Sequence, residues 1–111
     1  MRVLDQSAGL KNVGNDPEIY QLVLNEYFKE NKDTIDNLSL AINEKKYEDA
    51  AQIVHKVKGS SGSIGARALY DVSVILQRVL KEEKEDEIMP LQEKFSYLLQ
   101  HLLEEIMEFL V

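Results

Sequence analysis

Apolar residues recur every three to four positions through almost the whole chain, broken only by short polar turns, and few folds accommodate that pattern. Tyr20, Leu24, Phe28, Ile35, Leu38 and Ile42 make one stripe, with Tyr27 beside it. Ala50, Ile53, Val54, Val57 and Ile64 make a second, and Leu69, Val72, Leu76, Val79 and Leu80 a third. Leu91, Phe95, Leu98, Leu102, Ile106 and Phe109 make the fourth. Such spacing marks a helix with one buried face. No alternating β pattern, internal repeat or low-complexity segment competes with it. Long amphipathic segments joined by short connections predict an all-α fold, an antiparallel up-down four-helix bundle.

Local signals divide the chain further. Met1 to Asn15 is a short amphipathic start, with Val3, Leu4, Leu10 and Val13 apolar, and is expected to hold a short N-terminal capping helix. Asp16-Pro17-Glu18 opens the first long helix with an N-cap acid, a proline at the first position and an acid in the first turn. The polar patch Glu30-Asn31-Lys32-Asp33 is expected to kink or break that helix, with Asp33 as a second cap. Glu44-Lys45-Lys46 forms the next turn. A helix then runs from about Tyr47 to Ile64, closed by Gly65 as its C-cap glycine. Another spans roughly Ala66 to Glu83, and Glu82 to Glu87 reads as a charged connection. Asp86 is expected to cap the last helix, which tolerates Pro90 in its first turn and runs to about Phe109. Residues 1–111 thus read as one domain, with 1–15 a cap segment and 16–110 the bundle.

Composition excludes several functions. There is no cysteine, so disulfides and thiolate metal sites are out. No apolar run approaches the roughly 20 residues that cross a bilayer, and no signal-peptide pattern opens the chain, so a cytoplasmic protein without membrane partners is expected. A net charge of −7 argues against nucleic acid as a partner, because phosphate contacts need a basic face. Part of the positive charge (Lys45, Lys46, Lys56, Lys58 and Arg67) nevertheless gathers in sequence around His55, and a basic spot there would favour an acidic partner site.

His55 is the residue this helix does not use for packing. Each residue turns a helix by about 100°, which puts His55 roughly 160° from Val57 on the face opposite the core. Ala51, Gly59 and Gly62 are its neighbours on that outer face by helical spacing. A glycine inside a helix costs about 1 kcal/mol relative to alanine, and an exposed one contributes nothing to core packing. Two glycines here instead leave bare backbone through which a large partner can approach the ring, and Lys58 adds a cation nearby. An imidazole keeps a neutral, nucleophilic nitrogen at cellular pH. Together these features point to His55 as the acceptor of an anionic group. If the chain turns back at Ala66, Gln77 falls at the height of His55 on the returning helix, the alternative being an exposed glutamine with no role.

His55-Lys56-Val57-Lys58-Gly59-Ser60-Ser61, followed by Ile64-Gly65-Ala66, resembles the signature of histidine-containing phosphotransfer (HPt) domains, His-x-Leu-Lys-Gly-Ser-Ser/Ala, with Val57 in place of the common leucine. The whole chain has the length and helical plan of that family. The resemblance implies a phosphorelay intermediate of two-component signalling. His55 would take a phosphoryl group from a receiver phospho-aspartate, or from a kinase, through the ring nitrogen farther from the backbone, and pass it to another receiver aspartate. It implies response-regulator receiver domains and a hybrid sensor histidine kinase as partners, with the receiver supplying Mg2+ and most of the catalysis. The chain itself would bind no cofactor or metal, have no autokinase activity and act as a monomer. Family members often place a glutamine near the phosphohistidine, which Gln77 matches in spacing. Docking would use Ala51, Gly59 and Gly62, with Leu10 and Val13 added because the family's first helix contributes.

Other features carry less. Ser61 falls on the core side and is expected to bond back to its own helix. His101 has Glu104 and Glu105 in reach, but a di-metal bundle needs Glu-x-x-His on two helices, which this sequence lacks, so a surface role is expected. Gly59-Ser60-Ser61-Gly62-Ser63-Ile64-Gly65 lacks the Gly-Lys-Ser/Thr ending of a phosphate loop, and its apolar period continues through Ile64. Two rival functions share these features. One is a scaffold module of the same fold with an unphosphorylated histidine. The other is the dimerisation and phosphotransfer helix pair of a sensor kinase, in which an acid normally follows the histidine where Lys56 stands here.

Overall fold

Among the described residues six helices follow from the punctuation of the sequence: α1 (Gln6–Asn12), α2 (Pro17–Asn31), α3 (Thr34–Asn43), α4 (Tyr47–Ile64), α5 (Arg67–Lys81) and α6 (Glu85–Leu110). The structure is a computed structural model and describes residues 2–110, which are all-α and form a helical bundle. Asp16 caps α2, its carboxylate accepting from the N–H groups of Glu18 at 3.0 Å and Ile19 at 3.3 Å, and Pro17 takes the first position. Asp5 does the same for α1 through the Ala8 N–H at 3.1 Å. Both caps satisfy donors that a helix start leaves without partners.

Three junctions differ from the sequence reading. The polar patch does break the helix, but Asp33 makes no capping hydrogen bond. Buried Asn31 holds the break instead, donating to the Tyr27 carbonyl at 3.0 Å and accepting from the Thr34 hydroxyl at 3.0 Å. Asp86 is not the cap of the last helix, because α6 opens one residue earlier, at Glu85. Pro90 consequently lies beyond the first turn and removes one helical hydrogen bond at a point exposed to water. The helix before it stops at Lys81 rather than Glu83, which adopts φ +54 and reverses the chain.

The core joins all four stripes. Leu24, Leu38, Val54, Leu69, Leu76, Leu80, Phe95, Leu99, Leu102 and Ile106 are completely buried, each worth about 1.5–3 kcal/mol relative to exposure. The α4–α5 hairpin packs along its length, α6 lies against α5, and α2 lies against α6 and α4.

The N-terminal segment closes the end of α4. Asp5 N–H donates to Gly65 O at 2.8 Å, Asn12 Nδ2 to Ser63 O at 2.9 Å, and the Tyr20 hydroxyl to Ile64 O at 2.8 Å. These donors satisfy carbonyls that the last turn of a helix cannot pair internally. From α6, Glu105 Oε2 accepts the N–H groups of Val3 at 2.8 Å and Leu4 at 3.0 Å. Gly9 lets α1 come this close, since a Cβ there would collide with Ile64 O and the Tyr20 ring. Gly65 ends α4 at φ +97, the left-handed conformation that favours glycine. The motif helix is therefore fixed at its C-terminal end by the beginning of the chain.

Candidate functional site

α4 buries Ala50, Val54, Val57, Ser61 and Ile64 and turns His55 outward. The imidazole is exposed, and one contact orients it: Gln77 Nε2 on α5 lies 3.2 Å from His55 Nδ1. Gln77 is itself 9% exposed, so its amide is held by packing. An amide can present either end to the ring. With Nε2 toward it, Nδ1 accepts and the ring proton sits on the ring's Nε2. With the amide turned over, Oε1 accepts from Nδ1–H and the Nε2 lone pair is free. Either way Nδ1 is occupied and the far nitrogen faces solvent.

The two glycines of this face differ. A Cβ on Gly59 would meet nothing within 4 Å, so the space beside His55 is open there. A Cβ on Gly62 would lie 3.1 Å from Tyr70 Cδ2, so Gly62 is half-covered by an aromatic ring of α5. Ala51 corrects the expectation of an open docking residue. It is 2% exposed, because α5 covers that flank of α4. Leu10 and Val13 are half-buried and pack on the core from the N-terminal segment. From His55 and Gln77 a groove of about 850 Å3 runs past Ala51 and Leu80 to Lys45, Lys46 and Lys81.

The basic spot is smaller than the sequence implies. Lys45 pairs with Glu85 at 3.8 Å, Lys46 with Glu44 at 3.1 Å and Arg67 with Asp71 at 2.9 Å. Among the described residues no carboxylate lies within ion-pair distance of Lys56 or Lys58, which leaves these two cations on the motif helix.

The serines also divide. Ser60 bonds back to Lys56 O at 3.0 Å and Ser63 to Gly59 O at 3.2 Å. Ser61 does not bond to its own helix as expected. Its hydroxyl meets the Tyr27 hydroxyl at 2.8 Å in the core, tying α2 to the motif helix. Burial raises the Tyr27 pKa and pushes that of Tyr20 up to about 12, the latter helped by the nearby Asp5 charge, so both phenols stay protonated at neutral pH. Replacing Ser61 with Ala orphans the Tyr27 hydroxyl and is expected to lower unfolding stability by about 1–2 kcal/mol, read by denaturant titration. Tyr27→Phe in the same background should recover most of the loss.

His101 is far simpler. Its ring packs against Tyr97 at a tilt of 55° with centroids 4.4 Å apart, its Nδ1 lies 4.0 Å from Glu104, and Glu105 is engaged with the N-terminal backbone. Tyr70 is the residue the sequence reading missed. The antiparallel register that brings Gln77 to His55 also brings Tyr70 to Gly62, so the signal was present in the spacing.

Among the described residues no helix is long and apolar enough to cross a membrane. A family model described as Hpt domain matches residues 22–109. No curated protein and no solved structure matches the chain.

Proposed function

The chain belongs to the Hpt domain family, whose members carry out histidine phosphotransfer in two-component and phosphorelay signalling, and on that premise we propose that His55 is its phosphoryl acceptor. The observation that carries this reading is the exposed His55 ring, anchored at Nδ1 by Gln77 and open toward Gly59. Nε2 attacks the phosphorus of a receiver's aspartyl phosphate, the new N–P bond forms, and the aspartate carboxylate leaves with the electrons of the broken P–O bond. The ring becomes a phospho-imidazolium whose Nδ1–H donates to Gln77 Oε1. In the second half-reaction another receiver's aspartate attacks phosphorus and the N–P electrons return to Nε2. A kinase can stand in for the first donor. Lys58 offsets the phosphoryl charge, and Gly59 keeps the approach clear.

We assign magnesium and most of the phosphoryl-transfer catalysis to the receiver, and expect this chain to bind no cofactor and to lack autokinase activity. The finer architecture belongs to the same proposal: an antiparallel up-down bundle with α1 as its cap, spanning residues 1–111 as one domain. So do a monomeric, cytoplasmic protein and a hybrid sensor kinase among its partners.

The test mixes the chain with a panel of receivers already phosphorylated on aspartate. An acid-labile phosphoryl group mapped to His55 by mass spectrometry is expected, and none from ATP alone. A chain that no receiver in the panel can label would refute the proposal.

Gln77→Leu probes the anchor. A hydrogen bond to a charged group contributes roughly 1.5–3 kcal/mol, so transfer is expected to slow about tenfold to a hundredfold. The tautomer populations of His55, read from its ring nitrogen shifts, should move with the rate. A slowed rate with unchanged tautomers would instead assign Gln77 to docking.

A further inference from the structure

α5 carries a built feature about two helical turns from the histidine that the relay chemistry does not use. The Tyr70 ring rests on Gly62, where a Cβ would stand only 3.1 Å from Cδ2. The Arg67 guanidinium lies 5.4 Å from the centre of that ring and is held in turn by Asp71 at 2.9 Å. Gly62 and Arg67, the latter steadied by Asp71, therefore flank an aromatic side chain that is left half-exposed. Among the described residues its hydroxyl makes no hydrogen bond.

The position of this ring relative to His55 follows from two contacts, Gly62 with Tyr70 and His55 with Gln77, which set one register for the hairpin. In that register Val74 is level with Lys58. At about 100° per residue, Tyr70, Val74 and Gln77 share the flank of α5 that borders the open face of α4, whereas Ile75 turns to the other flank. Val74 is an exposed apolar side chain, 41% accessible, and of the two large apolar residues that α5 exposes, Val74 and Ile75, it is the one on the flank of Tyr70 and Gln77. Tyr70, Val74 and Gln77 thus make a continuous strip that ends at the phosphoryl acceptor.

We infer that Tyr70, seated on Gly62 and continued by Val74, is the docking anchor for the receiver domain that exchanges phosphoryl with His55. The inference rests on the relay reading above, and its occupant follows from continuity: a receiver whose aspartate reaches Nε2 must cover the ground beside His55. Pre-positioned tyrosines suit this role, giving a large amphipathic contact with little conformational entropy to lose, and they are enriched among residues that dominate binding. Gly62 then serves the partner through Tyr70 rather than as bare backbone.

The experiment uses the receiver that labels the wild-type chain fastest and measures KM and the saturating rate of transfer. Tyr70→Ala and Val74→Asp are each expected to raise KM about tenfold with the saturating rate unchanged. Gly62→Ala should raise KM on its own, by displacing the ring, and should add nothing in a Tyr70→Ala background. Val74 is exposed, so its variant keeps the test intact should Tyr70→Ala fold poorly. Wild-type KM in all variants, with His55 still labelled, would overturn the anchor while leaving the relay in place. Failure of the wild-type chain to label would remove the relay reading and this inference together. Sedimentation of a wild-type dimer that Tyr70→Ala dissociates would overturn it in favour of a second copy of the chain.

Discussion

His55→Gln is expected to abolish phosphoryl acceptance outright while leaving the bundle unchanged. Glutamine approximates the size of the ring and keeps a polar tip in water, so nothing in the core is disturbed. Surface substitutions of this kind change stability by about 0.5 kcal/mol or less. Its amide nitrogen is not a nucleophile, because the lone pair is delocalised into the carbonyl, and no N–P bond can form. The measurement is acid-labile phosphate after incubation with a phosphorylated receiver, alongside a thermal melt that should match the wild type. The sequence has only one other histidine, His101, and it offers a poor substitute. Its ring packs against Tyr97 and is flanked by Glu104, whose charge repels an incoming phosphoryl group. His101→Gln should therefore transfer at the wild-type rate. Acid-labile phosphate persisting in His55→Gln would place the acceptor elsewhere and refute the assignment.

What the sequence discloses about this fold is what one helix can say about itself. The limits of α4 are legible because an apolar stripe begins near Tyr47 and the one residue type that favours φ +97 stands at position 65. Asp16 and Pro17 are legible for the same reason, since capping is a local affair. Asp33 looks equally good as a cap, yet the break is held by Asn31 and Thr34, because a buried amide that bridges two helices outcompetes an exposed carboxylate with water available. The short capping helix was expected from its amphipathic pattern, but the contacts that dock α1 were not legible in it. It depends on Gly9, Asp5 and Glu105 meeting groups from parts of the chain far away in sequence.

The site divides along the same line. A helical wheel shows which residues leave the core, and His55 and Gly59 follow from it directly. It does not show how far a neighbouring helix reaches around the flank. Ala51 was expected in the open and is covered, and Gly62 was expected to be bare and carries Tyr70. Ser61 was correctly placed on the buried side, but its partner is a tyrosine on another helix rather than its own backbone. Gln77 needed one further step, the assumption that the hairpin folds back at Ala66 with equal arms. That assumption brings Gln77 to His55 and, carried further along the same two helices, would also have found Tyr70.

Side chains added at Gly59 should stabilise the protein and disable it together. The backbone there is helical and a Cβ meets nothing within 4 Å, so Gly59→Ala removes the entropic penalty of glycine without creating a clash. Stability is expected to rise by about 0.5–1 kcal/mol, and Gly59→Gln, another good helix former, should gain a similar amount. Transfer responds to a different quantity, the distance from His55 Nε2 to an aspartyl phosphate held rigidly in another protein. Misplacing reacting atoms by about 1 Å can slow a reaction a hundredfold, and a long side chain one helical turn from the ring holds the partner off by more than that. The series Gly59→Ala, Gly59→Gln, Gly59→Tyr is therefore expected to show little loss, then about a hundredfold, then a larger loss, with every member melting at or above the wild-type temperature. If glycine stood there for packing, the order would invert: the larger side chains would destabilise the fold, and transfer would fall only as far as the folded fraction does. Equal transfer by Gly59→Tyr and wild type would show that the partner's approach does not cross this turn of α4.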